Sequence, residues 1–547
     1  MIWDSLSNSN LQKLIGDPLL SNLEETLPLI IENDVLEPFD INRRNILKKI
    51  VSAFINKSFF KNEDNIIKLL NLLSEEEIDR CIDAINPSYK NCSFIEKIKL
   101  IASKWNSLEF NSKIIRWAEL PDEFLIRKEK KENSSITLQV PESPYKTLKD
   151  YQIPVFLEAQ KELENLNSKF VIQMPTGSGK TRTAMEIVTD YINNASENMV
   201  VVWLAHSEEL CDQALACFIE VWKHVGRKEL TAYRCLGTDP VPKKVNKNAF
   251  IVAGFSKFNA ALKKENAFAG FSENVGLIIV DEAHKVIAPT YKKVTKALIN
   301  GKKGTRVIGL TATPGRHILD DEGNRALSEF FFNRCLTINL PKGENNVISY
   351  LRDKRVLSKV NISPIKGVNI VLNAQEKRDL ERNFDFPPGF LERLGADNIR
   401  NIEILKRLQI EAKEGHQILF FACSVKHSKF ICSMLLYLGF KAAHIDGETD
   451  KETRQAVLEK FKRGEINIIC NFGVLSTGFD APKTDVVCIA RPTQSIVLYS
   501  QMIGRGLRGP AIGGTENCKL LNVKDNIKNL PNYTNIFGYF DDYWTEE

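Results

Sequence analysis

Five runs of nearly unbroken apolar residues limit what this chain can fold into: FVIQM from Phe170, VVVWLAH from Val200, AFIVAGF from Ala249, GLIIVDE from Gly276 and RVIGLTA from Arg306, each followed by a helical stretch. A strand that is apolar at every position has both faces buried, the situation of a parallel sheet covered on both sides by crossover helices. After a connecting stretch the pattern restarts with QILFFAC, AAHID, INIIC, VVCIA and KLLNV. The expectation is an α/β chain with two tandem parallel-sheet units, duplicated in architecture and not in readable sequence. The 547 residues, 43% hydrophobic and 26% charged, fall in the ordinary globular class and are long enough for about three or four domains.

The units are expected at 145–340 and 371–525, joined by a connection at 341–370. Residues 1–126 read as an all-α accessory domain. Ile46, Leu47, Ile50, Val51 and Phe54 recur at helical spacing, and Ser74 with Glu77 and Ser93 with Glu96 form the pattern of a capping box. The charged, aperiodic RKEKKENSS opens a linker at 127–144. The segment FDFPPGF, 384–390, reads as an exposed loop or insertion without an assigned role. The tail at 526–547 holds NYTNIFGYFDDYW, expected to pack on the second unit rather than to stack on bases.

Net charge is +5, unevenly spread. Residues 1–140 hold 19 basic against 22 acidic side chains, and the remainder 55 against 47. A polyanion therefore suits the later three-quarters of the chain, and the helical domain suits a protein partner better than a direct grip on DNA. Eleven cysteines include no CxxC pair or Cys/His cluster at zinc spacing, so buried thiols are expected. The opening MIWDSLSNSNLQKL lacks a basic segment followed by an apolar core, and no apolar run approaches about 18 residues, which points to a cytoplasmic protein with no membrane partner.

The chemistry concentrates at strand ends. QMPTGSGKT, 173–181, is a strand running into a glycine-rich turn that opens a helix, the form of a phosphate-binding loop. Thr176, Gly177, Ser178 and Gly179 would wrap a nucleotide phosphate, Lys180 would reach the β- and γ-phosphates, and Thr181 would ligate Mg2+. Met174 stands where the general pattern has glycine. After GLIIV come Asp281 and Glu282, expected to hold the Mg2+ shell and to orient the attacking water, and then His284, expected to link nucleotide state to the rest of the molecule. Thr311 and Thr313 after RVIGL are expected to pass on γ-phosphate status. In the second unit QMIGRGLRG sets Gln501, Gly504, Arg505 and Arg508 on or near one helix, the arginines on one face where their charged forks suit a γ-phosphate. Upstream lies STGFD: Gly478 joins the nucleotide set, Asp480 is expected to orient an arginine or touch the nucleotide sugar, and Thr477 to touch a backbone phosphate.

LKDYQ, MPTGSGKT, WLAHSEELCDQ, IVAGFSKF, DEAH, TATPGR, ILFFACSVKHS, STGFD and QMIGRGLR, in that order, resemble the motif set of superfamily 2 helicases, nearest to the DEAH-containing group with XPB-like and RadD-like helicases and restriction-system motor subunits. The likeness spans about 145–525. It implies two RecA-like lobes with ATP between them, a nucleic-acid strand across their tops, DNA favoured over RNA, an adenine contact from Gln152 and a strand contact near Ser256. HSEEL departs from the more familiar TRELA form near Glu208. The function this implies is an ATP-dependent helicase or translocase. The alternative is a nucleotide-gated interaction subunit of a larger complex, with little unwinding of its own.

Overall fold

The computed structural model describes residues 1–16, 19, 25–26, 43–126, 135–137, 145–245, 247–263, 268, 271–299, 304–315, 320–383, 385–475 and 483–527. Its first sheet contains β1 (Ser135–Thr137), β2 (Lys169–Gln173), β3 (Val200–Ala205), β4 (Thr231–Cys235), β5 (Ala249–Gly254), β6 (Val275–Asp281), β7 (Arg306–Thr311) and β8 (Cys335–Leu336). They lie in the order β1-β4-β5-β3-β6-β7-β2-β8, parallel throughout except that β1 runs against β4. β3, β5 and β6 are buried at every residue. Along β3, Val201 and Trp203 enter one core with Phe218, while Val202 and Leu204 enter another with Phe258 and Phe271. Two covered faces are what a strand with no polar alternation requires.

The second sheet contains β9 (Lys359–Lys366), β10 (Ile418–Phe421), β11 (Ala442–Ile445), β12 (Ile468–Asn471), β13 (Val486–Ile489) and β14 (Asn517–Lys524), all parallel in the order β11-β12-β10-β13-β14-β9. β9 lies in the stretch read from sequence as the inter-lobe connection. It is an edge strand on which only Ile365 is buried, so it carries no apolar run to announce it. FDFPPGF also differs from its reading as an exposed loop: Phe386 and Phe390 are 3% and 0% exposed and stack 5.2 Å apart in a cluster with Leu391, Leu394 and Cys423. Of the tail, Ile527 is buried in the same cluster and 528–547 lie outside the described residues. The linker is described only at β1.

The N-terminal residues form a helical domain with its own core, including Ile66, Ile82 and Trp105. Both serines read as caps do cap: Ser74 accepts from the Glu77 N–H, and Ser93 with Glu96 closes a full capping box. Helix Arg43–Phe54 serves two cores. Leu47 and Val51 belong to the helical domain, whereas Ile46 and Ile50 belong to the second lobe with Phe430 and Leu435. Two adjacent i, i+4 stripes make one wide apolar face, which can be buried only between two bodies. At the end of this helix Phe54 meets His444 of β11 edge-on, and just beyond it Lys57 pairs with Glu452 and the Ser58 hydroxyl donates to Asp450 at 3.2 Å. Among the described residues no helix is long and apolar enough to cross a membrane.

Candidate nucleotide site between the lobes

The glycine-rich turn sits at the carboxyl end of β2, the acids at the end of β6, and β7 lies between them, so three strand ends converge where open parallel sheets bind ligands. Gly177 and Gly179 have φ of +88° and +86°, a region that costs an L-residue about 1–2 kcal/mol. A Cβ at Gly179 would also stand 2.5 Å from Gln152 Nε2 and displace the amide that braces the loop. The buried Ser178 hydroxyl donates to Pro175 O at 2.7 Å, and the Ser178 carbonyl accepts from the Tyr151 hydroxyl at 2.8 Å and from Gln152 Nε2 at 3.3 Å. The loop is thus braced through its carbonyls. Lys180 and Thr181 begin helix Lys180–Asn194, whose N-terminus adds partial positive charge. Met174 is fully buried in the first lobe and its N–H donates to Thr311 O at 3.1 Å, which explains a core side chain where a glycine is usual. Gln152 uses its amide on the loop and on Lys149, whose N–H it accepts at 2.9 Å.

At the end of β6, Glu282 adopts φ +52°, ψ +57°, a left-handed conformation rare outside glycine and concentrated at functional turns. Asp281 is 6% exposed and accepts from the Glu282 N–H at 3.0 Å. Burial, reinforced by the neighbouring Glu282 charge, raises the Asp281 pKa. Burial also opposes charge on Glu282, but nearby cations, Lys180 first and Lys285 with it, outweigh it and hold that acid below its ordinary value. A buried acid that resists charging without a cation, beside one kept charged, suits a Mg2+ ligand next to a water-orienting base. His284 Nδ1 lies 3.4 Å from Glu282 Oε2. Burial lowers His284 and His206 to about 4, so both are neutral near pH 7. His206 and Lys285 also face the acid pair, and sequence reasoning gave neither a role although both lie in or beside quoted motifs. The Thr311 hydroxyl donates to Thr313 O at 2.7 Å and accepts from the Thr313 N–H, closing its own turn.

The second lobe completes the site. Helix Ile496–Ile503, capped by Ser495, carries Gln501 and ends at Gly504, so Arg505 and Arg508 lie beyond it, in a turn and at a bridge to Leu357, and not on one helix face as their spacing suggested. A Cβ on Gly504 would stand 2.5 Å from Thr176 Cγ2 and 2.6 Å from Thr176 Cβ, and one on Gly177 would stand 3.6 Å from Arg508 Cγ. Burial lowers Arg505 to about 10, with Glu282 pulling the other way, and burial lowers Arg508 too. Arg505 therefore lies in the field of Glu282, and Arg508 lies against the phosphate loop. A second seam joins Arg454 to Glu209 at 2.5 Å and Lys451 to Asp212 at 3.0 Å. Ser256 is exposed in the first turn of helix Phe255–Ala261, while Thr477, Gly478 and Asp480 lie outside the described residues.

Residues 145–316 match the family "Type III restriction enzyme, res subunit" and residues 400–509 match "Helicase conserved C-terminal domain". The chain is similar to "Putative ATP-dependent helicase IRC3" of Saccharomyces cerevisiae, 24% identical over 66% of this chain and 49% of that protein, so it spans about half of that relative's length. It is also similar to "Probable ATP-dependent RNA helicase MJ0669" of Methanocaldococcus jannaschii, 27% identical over 64% of this chain and 80% of the other. Among solved structures, "ATP-dependent Type ISP restriction-modification enzyme LlaBIII bound to DNA" overlaps 74% of this chain and 30% of its own at 17% identity and a TM-score of 0.49.

Proposed function

Because the chain belongs to the superfamily 2 helicases and restriction-system motors, we propose that it hydrolyses ATP between its two lobes and converts lobe closure and opening into movement along a nucleic-acid strand, with DNA as the favoured track. The observation that carries this reading is the split site: Thr176, Gly177 and Glu282 come from one lobe and Gly504, Arg505 and Arg508 from the other, in direct apposition. A site completed only when lobes meet ties hydrolysis to their relative movement.

In this reading Lys180 neutralises the β- and γ-phosphates, and Thr181 with Asp281 would hold Mg2+, which supplies charge neutralisation when bound. Glu282 orients the attacking water and accepts its proton, while Arg505 and Arg508 stabilise charge moving onto the leaving group. Thr176, Ser178, Gly179, Gly478, Asp480 and Gln152 bind the nucleotide, and Gln501 joins the arginines in the catalytic set. His284, Thr311 and Thr313 relay nucleotide state, and Ser256 and Thr477 touch the strand. The match to a restriction subunit and the basic balance beyond residue 140 support a DNA track held mainly through phosphates.

The test is ATPase activity of the purified chain with single-stranded, duplex and forked DNA and with RNA, alongside Glu282→Gln. DNA-stimulated turnover abolished by that substitution is expected. Turnover indifferent to every nucleic acid and to Glu282→Gln sinks the reading. A nucleotide-gated interaction subunit is the second reading, for which the helical domain, with its own core and its acidic balance, is the part available to a protein partner. Strand displacement by the chain alone tells against it.

A further inference from the structure

The segment around Asp385 sits against the loop that launches helix Ile496–Ile503, after whose end Arg505 and Arg508 follow. Asp385 Oδ1 accepts from the Thr493 hydroxyl at 3.1 Å and from the Gln494 N–H at 3.0 Å, and its Oδ2 lies 3.2 Å from Arg491. One carboxylate therefore engages three of the residues between β13 and helix Ile496–Ile503. Its partners continue the chain of support: Thr493 Oγ1 also accepts from the Ser495 N–H at 3.0 Å, and Ser495 caps the helix through the Leu498 N–H at 3.1 Å. Arg491 extends the other way, over the Phe472 ring at 5.5 Å, just after β12.

Both ends of this arrangement are fixed. Ala490, before the loop, accepts from buried Arg400, which is held by two 2.8 Å contacts to Asp525. Asp385 itself is followed by Phe386 and Phe390, locked in their own cluster. At the far end of the helix the clearance is smaller than a methyl group, because Gly504 touches Thr176. A shift of the helix start carries its end at Gly504 with it, since a short helix moves as one body, and Arg505 and Arg508 follow in the turn beyond, where the Arg508 carbonyl accepts from the Ser358 hydroxyl and the Thr515 N–H.

We propose that Asp385 is a positioning residue for hydrolysis: it clamps the Arg491–Ser495 loop so that the following helix delivers Arg505 and Arg508 to the nucleotide held by the other lobe. This rests on the reading of the cleft as an ATPase site. It gives a role to a segment that its sequence left without one, and the residue acts through the arginines rather than on the substrate.

The experiment compares wild type with Asp385→Ala, Asp385→Asn and Thr493→Val in the full chain, measuring steady-state ATPase with single-stranded DNA and the affinities of fluorescent mant-ADP and mant-AMP-PNP. A 1 Å misplacement of catalytic groups can cost about 100-fold, so Asp385→Ala is expected to lower kcat by about tenfold or more with KM within about twofold. It should also weaken mant-AMP-PNP relative to mant-ADP, because the arginines read the third phosphate. Asp385→Asn keeps an acceptor for Thr493 and Gln494 and should recover most of kcat, whereas Thr493→Val should fall between. A merely structural role would lower thermal stability and leave kcat, and the ratio of the two affinities, unchanged; that result overturns the proposal. If Asp385→Ala does not fold, wild-type kcat in both remaining variants overturns it equally. Failure of the ATPase reading is distinct: wild type would then show no turnover above Glu282→Gln, while the mant-nucleotide ratio still reports whether Asp385 sets the arginines.

Discussion

Replacing Gly504 by alanine separates the closed cleft from the stability of the lobe that forms it. Gly504 has φ −54° and ψ −16°, right-handed helical values that alanine adopts freely. At such a helix-end position alanine is favoured over glycine by as much as about 1 kcal/mol, so the second lobe should be as stable or slightly more stable. The added methyl carbon would lie 2.5 and 2.6 Å from two carbons of Thr176, however, and 3.0 Å from Ser500 O. Carbon atoms settle at about 3.5–4.0 Å, so the lobes must part by roughly 1 Å at this point. Rotating Thr176 about χ1 moves its Cγ2 but not its Cβ, and a β-branched side chain has few alternatives. Displacement of that size between reacting groups corresponds to about a 100-fold loss of kcat. Mant-ADP affinity should change little, because the phosphate loop belongs to the first lobe and the arginines of the second read the third phosphate. Steady-state ATPase, mant-ADP binding and thermal unfolding of Gly504→Ala test this together. Undiminished kcat in a folded variant would refute the idea that this apposition of lobes is the one in which hydrolysis occurs.

Three further outcomes follow from the packing. Glu209→Arg sets like charges across the outer seam with Arg454 and should slow DNA-stimulated turnover a few-fold, a solvent-accessible pair being worth about 0.2–1 kcal/mol; Glu209→Gln should cost less, and unchanged turnover in Glu209→Arg would show that the seam does not contribute to closure. His206, His284, His427 and His444 all have pKa values lowered chiefly by burial, the first two to about 4. Below about pH 6.5 the unfolded chain takes up protons on these rings before the folded chain does, so stability is retained above that pH and lost toward pH 4, by up to about 1.4 kcal/mol per pH unit for each ring; urea midpoints equal at pH 7.5 and pH 5 would contradict this. Ile50→Ala, at a side chain 1% exposed in the second lobe's core, should cost about 2–5 kcal/mol of that lobe's unfolding free energy, and a second-lobe transition that does not move would mean helix Arg43–Phe54 is only loosely attached.

Much of the motor was legible because its strands are apolar at consecutive positions and its chemistry sits where those strands end. β2, β3, β5, β6 and β7 follow FVIQM, VVVWLAH, AFIVAGF, GLIIVDE and RVIGLTA, and β10 to β14 follow their counterparts. β4, with its mixed TAYRC, and edge strand β9 lack that signal, since strands with exposed positions have no need of a continuous apolar run. At the site, Gly177 and Gly179 were legible from the backbone geometry their turn demands. The contacts of His206 and Asp385 were not, because each depends on a strand or segment distant in sequence, whereas Lys285, one turn from Glu282, stood within reach of a sequence reading.

The helical domain illustrates the same limit. Its five apolar positions in helix Arg43–Phe54 suggested one buried face, yet Ile46 and Ile50 leave the domain and enter the second lobe. The placement matters because the neighbouring helix, Lys451–Lys462, meets Lys57 and Ser58 of the helical domain through Glu452 and Asp450, and meets the first lobe through Lys451 and Arg454. One turn of helix thus receives the accessory domain on one side and the closing lobe on the other. With a shared core, the accessory domain must travel with the second lobe, so anything that pulls on it bears on the Lys451–Asp212 and Arg454–Glu209 seam. Deleting residues 1–126 would strip Ile46 and Ile50 from that core, mixing loss of regulation with loss of stability. Point substitutions at Lys57 and Ser58 leave the core intact, so a change in ATPase rate from them, with thermal stability unchanged, would isolate the link between accessory domain and closure.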